Sequence, residues 1–107
     1  MLNISYEFTK GFFFVRLEGN ITKNNYRYFL EELKDIIQRT GLKKIVINVD
    51  KINSIDVLCL NKLLKFLKKA LYKGITVLMC DNNLVLTSRI FNLIPRISYE
   101  QEVYNMI

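Results

Sequence analysis

The stretch from Ile45 to Cys80 constrains the fold more than any other. Two apolar blocks, Ile45-Val46-Ile47 with Val49 and Ile75–Cys80, flank a segment with leucine at helical spacing. Leu60, Leu63, Leu64, Leu67 and Leu71 fall on one stripe, while Lys62, Lys65, Lys68, Lys69 and Lys73 occupy other faces. A strand–helix–strand order returns the second strand parallel to the first, across a crossover that is right-handed in nearly all known cases. Ile75–Cys80 shows no polar alternation, the pattern of a strand covered on both faces. Asp56 is the expected N-cap of the helix Val57–Tyr72, its carboxylate at the positive end of the helix dipole, and Gly74 ends that helix. Asp50 to Ser54 reads as a polar loop outside the carboxyl end of a central strand, where functional loops of α/β domains lie.

Upstream, Asn3–Phe8 alternates apolar and polar residues, as an edge strand does. Lys10-Gly11 makes a turn into a second strand, Phe12–Leu17, ended by Gly19-Asn20. Thr22 is the expected N-cap of a helix running to about Thr40, with Tyr26, Phe29, Leu30, Leu33, Ile36 and Ile37 on its apolar stripe and Gly41 as its stop. Downstream, a third helix is expected over Leu84–Leu93, ended by Pro95. A short strand at Ile97–Tyr99 and a last helical turn or two over Glu100–Ile107 follow. The predicted class is therefore α/β: one domain over 1–107, a small mixed sheet made of an opening hairpin and then parallel strands, with helices packed on it.

Composition removes several functions. The chain of 107 residues has no histidine, which takes away the commonest general base and the commonest metal ligand together. Cys59 and Cys80 form neither a CxxC nor a metal spacing and read as free thiols, Cys59 as a small buried residue. No apolar run approaches the roughly 20 residues of a membrane span, and the N-terminus lacks the pattern of a signal peptide; the expectation is a cytoplasmic protein without membrane insertion. The net charge of +6 comes largely from lysines, and those at 62–73 lie opposite the leucine stripe on a face where no arginine is interleaved and, of the aromatic residues, only Tyr72 comes near. That pattern disfavours nucleic acid and leaves room for an acidic protein partner. Asp50 and Asp56 place two carboxylates in one loop, but no third carboxylate or glycine-rich cradle accompanies them, so neither cofactor, metal nor acid–base catalysis is expected.

Three segments resemble the STAS domain, the fold of anti-sigma-factor antagonists. They are Leu17-Glu18-Gly19-Asn20-Ile21-Thr22, Asn48-Val49-Asp50-Lys51-Ile52-Asn53-Ser54-Ile55-Asp56 and Gly74-Ile75-Thr76-Val77-Leu78. The resemblance spans essentially the whole chain and implies a non-enzymatic interaction module. Its partner would be a regulatory protein such as an anti-sigma factor with a kinase-like ATP-binding fold. It implies a docking surface made of Asp50, Asn53, Ser54, Asp56, Val57, Leu58 and Lys62, with Asn20 and Thr22 alongside. In phosphoregulated relatives the second helix begins with a hydroxyl residue; here the matching position is Leu58, so the usual phospho-switch is absent and Ser54 is the nearest hydroxyl. Alternatives are an accessory subunit of a transporter ATPase and a nucleotide- or anion-binding regulatory domain. Homodimerisation stays open.

Overall fold

The computed structural model describes residues 1–82 and 94–105. Strands β1 (Leu2–Thr9), β2 (Phe12–Ile21), β3 (Lys44–Ile55), β4 (Thr76–Cys80) and β5 (Arg96–Ile97) form one sheet in the order β1-β2-β3-β4-β5. β1 and β2 pair antiparallel and every later pair is parallel. The hairpin turns on Lys10 and Gly11, both at positive φ (52° and 86°), as a two-residue primed turn requires. Helices α1 (Tyr26–Thr40) and α2 (Val57–Tyr72) make the two crossovers β2–α1–β3 and β3–α2–β4. The expected mixed sheet with an opening hairpin is the observed one. The third helix anticipated over Leu84–Leu93 lies outside the described residues. Of the terminal segment, Glu100–Asn105 is a 3-10 helix whose Val103 is buried.

The main core lies between the sheet and the two helices. Val15, Leu17, Ile45, Ile47, Val49, Val77 and Met79 from the strands meet Phe29 and Leu33 of α1 and Cys59, Leu60, Leu63, Leu67 and Ala70 of α2. Leu64 and Leu71, placed on the α2 stripe by periodicity, are partly buried at its margin. The opposite face of the sheet carries a smaller core, in which Phe12, Phe14, Val46, Leu78, Cys80 and Ile97 of the strands cluster with Val103 of the terminal 3-10 helix. β4 is thus buried on both faces from Val77 to Cys80, as its unbroken apolar run implied.

Several boundaries differ from expectation: the last strand is Arg96–Ile97 rather than Ile97–Tyr99, and three differences lie near the ends of β2 and β3 and the start of α1. β2 does not end at Gly19-Asn20 but continues to Ile21. The residues 50–54 are not a loop: β3 runs through them to Ile55, with Lys51, Ile52, Ser54 and Ile55 paired to Glu18, Gly19, Asn20 and Ile21. The pairing shifts twice, between Arg16 and Glu18 and between Gly19 and Asn20, each time with an extra residue in β3. Such bulges break the two-residue alternation. The inward positions become 45, 47, 49, 52 and 55, a spacing that imitates a loop. Finally, α1 starts at Tyr26 rather than just after Thr22.

Candidate functional site

The ends of β2 and β3 and the first turn of α2 meet at one edge of the molecule. The backbone N–H of Asp56 donates to the carbonyl of Ile21 (3.0 Å), pinning the start of α2 to the end of β2. Asp56 is the N-cap in extended conformation (φ −63°, ψ 138°), and its Oδ1 accepts from the N–H groups of Leu58 (3.0 Å) and Cys59 (3.3 Å). The carboxylate therefore occupies the electropositive helix end and satisfies donors that would otherwise face solvent.

A second set of hydrogen bonds shapes the neighbouring turn. Ser54 Oγ donates to Asn20 Oδ1 (2.9 Å), a side-chain link across the β2–β3 pair. Thr22, anticipated as the cap of α1, instead accepts from the N–H of Asn24 through its hydroxyl (3.2 Å), in a turn preceding the helix. Asn25, a residue the sequence reading passed over, holds this turn: its Oδ1 accepts from the Thr22 N–H (2.9 Å) and its Nδ2 donates to the Asn20 carbonyl (3.0 Å). The signal was available, because Thr22, Asn24 and Asn25 are all cap- and turn-forming types. Together these elements border an open cleft of about 520 Å3 between Thr22–Asn24 and Ser54–Asp56.

Directly after Asp56 in the chain, Val57 and Leu58 are 53% and 61% exposed, and the residues that follow, Cys59 and Leu60, are buried in the core. Cys59 is 2% exposed, and its thiol pKa is raised by burial first and by the Asp56 carboxylate second. A protonated, buried thiol is a packing residue, not a nucleophile.

The structure brings together Asn20, Thr22, Ser54, Asp56, Val57 and Leu58. Asn53 is exposed near the end of β3 but outside the cleft. Asp50 is elsewhere. It lies on the sheet face away from the helices, its Oδ2 accepting from Cys80 Sγ (3.5 Å) and its Oδ1 from the Asn82 N–H, beside a polar cleft of about 370 Å3. The five strand residues Lys51–Ile55 separate it from Asp56, on the order of 20 Å of extended chain. The two carboxylates therefore do not pair. Lys62 points along α2 into the groove between the helices. Among the described residues no cluster of His, Cys, Asp or Glu could hold a metal ion, and no helix is long and apolar enough to cross a membrane.

The STAS domain family model matches residues 3–93. The chain belongs to the STAS domain family. Its fold is shared with solved structures at low sequence identity. A Thermotoga maritima protein described as an anti-sigma-factor antagonist superposes with a TM-score of 0.81 at 14% identity, covering 97% of this chain and 93% of that one. The anti-sigma-factor antagonist SpoIIAA in its unphosphorylated form gives 0.73 at 15% identity, over 97% and 96%. A variant of Moorella thermoacetica RsbS gives 0.76 at 15% identity, over 96% and 92%. No curated protein matches the sequence. The STAS fold resembling anti-sigma-factor antagonists is consistent with a protein-interaction module.

Proposed function

We propose that this STAS domain is a non-enzymatic docking module of the anti-sigma-factor-antagonist type. It binds a regulatory protein through the edge built from Asn20, Thr22, Ser54, Asp56, Val57 and Leu58. The observation that carries this reading is the exposure of Val57 and Leu58, 53% and 61%, in the first turn of a helix whose end is already capped by Asp56. Two adjacent apolar side chains left in water gain on docking; fully burying a leucine is worth about 1.5–3 kcal/mol. The polar cleft of Thr22–Asn24 and Ser54 ends at Asp56, the residue that precedes the pair in the chain, and polar groups next to an apolar patch are the usual make-up of a protein contact.

The reading has a regulatory corollary. A phosphate at the start of α2 would bring up to two negative charges to the contact and oppose docking. Leu58 offers no hydroxyl there, so association is not gated at that position, and the partner, by family resemblance, is an anti-sigma factor with a kinase-like fold. Calorimetric titration of such a factor from the same cell tests both points. Leu58→Glu is expected to weaken binding at least tenfold, about 1.4 kcal/mol, and incubation with the factor and ATP is expected to leave the intact mass unchanged. Undiminished affinity of the Leu58→Glu variant, or a phosphoryl adduct within residues 50–60, would overturn the proposal.

A further inference from the structure

α1 and α2 lie side by side on the same face of the sheet, and a groove of about 470 Å3 runs between them. Its floor is apolar: Tyr26, Leu30 and Ile37 from α1, Phe66 and Ala70 from α2. Its rim is cationic, with Lys34 on one bank and Lys62, Lys65, Lys69 and Lys73 on the other, and no carboxylate lines it. None of these five lysines forms an ion pair among the described residues, whereas Arg16 and Arg39 both do.

The spacing is as informative as the charge. Lys62, Lys65, Lys69 and Lys73 follow each other at intervals of three, four and four, one ammonium per turn along one bank. From Tyr26 to Gln38 the groove follows α1 over twelve helical steps, roughly 18 Å at about 1.5 Å per step. It is open along that length. A compact small molecule would fill a fraction of it and meet one or two of the five charges. A helix of about three turns fills it: leucine-type side chains at i, i+3/i+4 and i+7 reach the floor, and carboxylates flanking that stripe meet the rim.

We propose that the α1–α2 groove is a second docking site, whose occupant is an acidic amphipathic helix of a partner protein. It lies apart from the Val57–Leu58 contact and does not depend on that reading. Burial of the Phe66, Leu30 and Ile37 surfaces supplies affinity, and the lysine row supplies register and attraction at a distance. Lysine rather than arginine on the bank suits side chains that follow an approaching helix rather than fix one bidentate geometry.

The test uses the full chain and a synthetic peptide of about 16 residues, long enough to become helical on binding, with leucines at i, i+3/i+4 and i+7 and glutamates beside them. A composition-matched peptide with the leucine stripe scrambled is the control. Three results are expected. The striped peptide binds and gains helicity. Amide shift perturbations centre on Leu30, Ile37 and Phe66. The exposed double variant Lys65→Glu/Lys69→Glu, checked for an unchanged melting temperature, loses about tenfold in affinity or more. Raising salt to about 0.5 M is expected to weaken binding, since exposed charges are screened within a few ångströms there. Phe66→Ala is expected to reduce affinity while leaving the salt dependence in place. Leu58→Glu is expected to leave peptide binding unaltered, which separates this site from the α2 start. Equal binding of the scrambled peptide would refute the proposal. So would perturbations away from the groove, preferential binding of phosphatidylglycerol vesicles through the same lysines, or self-association of the chain that Lys65→Glu/Lys69→Glu abolishes.

Discussion

Arg16 and Glu100, 84 residues apart, are joined by two parallel hydrogen bonds, Nε to Oε2 at 2.9 Å and Nη2 to Oε1 at 2.8 Å. Glu100 Oε2 also accepts from Asn48 Nδ2 (2.8 Å), and Arg16 Nη1 reaches Glu7 Oε1 (2.7 Å). One guanidinium thus ties the terminal 3-10 helix to β2 and β1, and one carboxylate ties it to β3. This arrangement closes the smaller core on the sheet face that the helices leave bare.

Removing that carboxylate strands three donor groups at once, two on Arg16 and one on Asn48. Glu100→Ala is expected to cost about 1–3 kcal/mol, the range for a hydrogen bond to a charged group whose partner is left partly buried. Chemical denaturation reads it directly. The same carboxylate sets an acid limit. Hydrogen bonding to Arg16, foremost, and to Asn48 holds the Glu100 pKa below its ordinary value of 4.5 against the opposing effect of burial. A depressed carboxylate stabilises the fold above its unfolded pKa, and that contribution is lost as pH falls through the folded value. Melting curves from about pH 5 to about pH 3 should show the native chain losing stability faster than Glu100→Ala, which no longer has this contribution to lose.

Asp56 bonds the N–H groups of both Leu58 and Cys59, so its role is separable from charge. Asp56→Ala is expected to lower stability by about 1 kcal/mol, and Asp56→Asn, which keeps the acceptor, by markedly less. Thermal melts of the three proteins distinguish capping from a purely electrostatic contribution, under which the alanine and asparagine variants would be equally weakened.

Both thiols are expected to be inert in the native state. Cys80 is pushed up to about 12 by burial first and by Asp50 second, and Cys59 is raised for the same kinds of reason. At about pH 8 neither is a thiolate, so a disulfide reagent should react with the unfolded protein far faster than with the folded one. Because the folded chain holds these protons more tightly than the unfolded chain, stability should fall as pH rises through the ordinary thiol range near 9. Fast labelling of the folded protein would contradict this.

What could be read from residues alone follows from how local each signal is. The α2 stripe, its Asp56 cap and the two-faced burial of β4 depend on periodicity within one element, and each is where the sequence placed it. The end of β3 was misread because two bulges shift the inward positions from Val49 to Ile52 and then to Ile55, an arrangement imposed by β2 and invisible in β3 by itself. The start of α1 differs because Thr22, Asn24 and Asn25 are all competent turn formers, and a local set of hydrogen bonds among Asn20, Thr22, Asn24 and Asn25 closes a turn before the helix begins. Within the candidate edge, Leu58 could be singled out because a family pattern expects a hydroxyl there. The groove between the helices could not: Lys34 and Lys69 become neighbours of one cavity only once α1 and α2 are packed.

The core of that packing makes a direct prediction. Leu67 is 1% exposed, in the centre of the α2 stripe against the sheet. Leu67→Ala is expected to cost about 2–5 kcal/mol, the lost transfer energy plus that of the cavity left behind. The exposed Leu58→Ala, by contrast, should stay within about 0.5 kcal/mol. Equal effects in urea titrations would mean that the first turn of α2 is covered in the isolated protein.

Gly19 supplies the most local test of how the edge is assembled. Its φ is +110°, and a Cβ placed there would lie 2.1 Å from the carbonyl oxygen of Met1, the same oxygen that accepts from the Asn20 N–H at 3.2 Å. Two costs therefore coincide on Gly19→Ala: a backbone conformation unfavourable to any L side chain, worth about 1–3 kcal/mol, and displacement of Met1, the residue that leads into β1. Gly41, at φ +67° with nothing within 4 Å of its Cβ position, separates them, since Gly41→Ala meets only the conformational cost, about 1–2 kcal/mol. Gly19→Ala is expected to exceed it and, unlike it, to speed amide exchange at Asn20. Equal losses in the two variants, with Asn20 exchange unchanged, would show that the Met1 contact contributes nothing to holding the end of β2 against the start of β1.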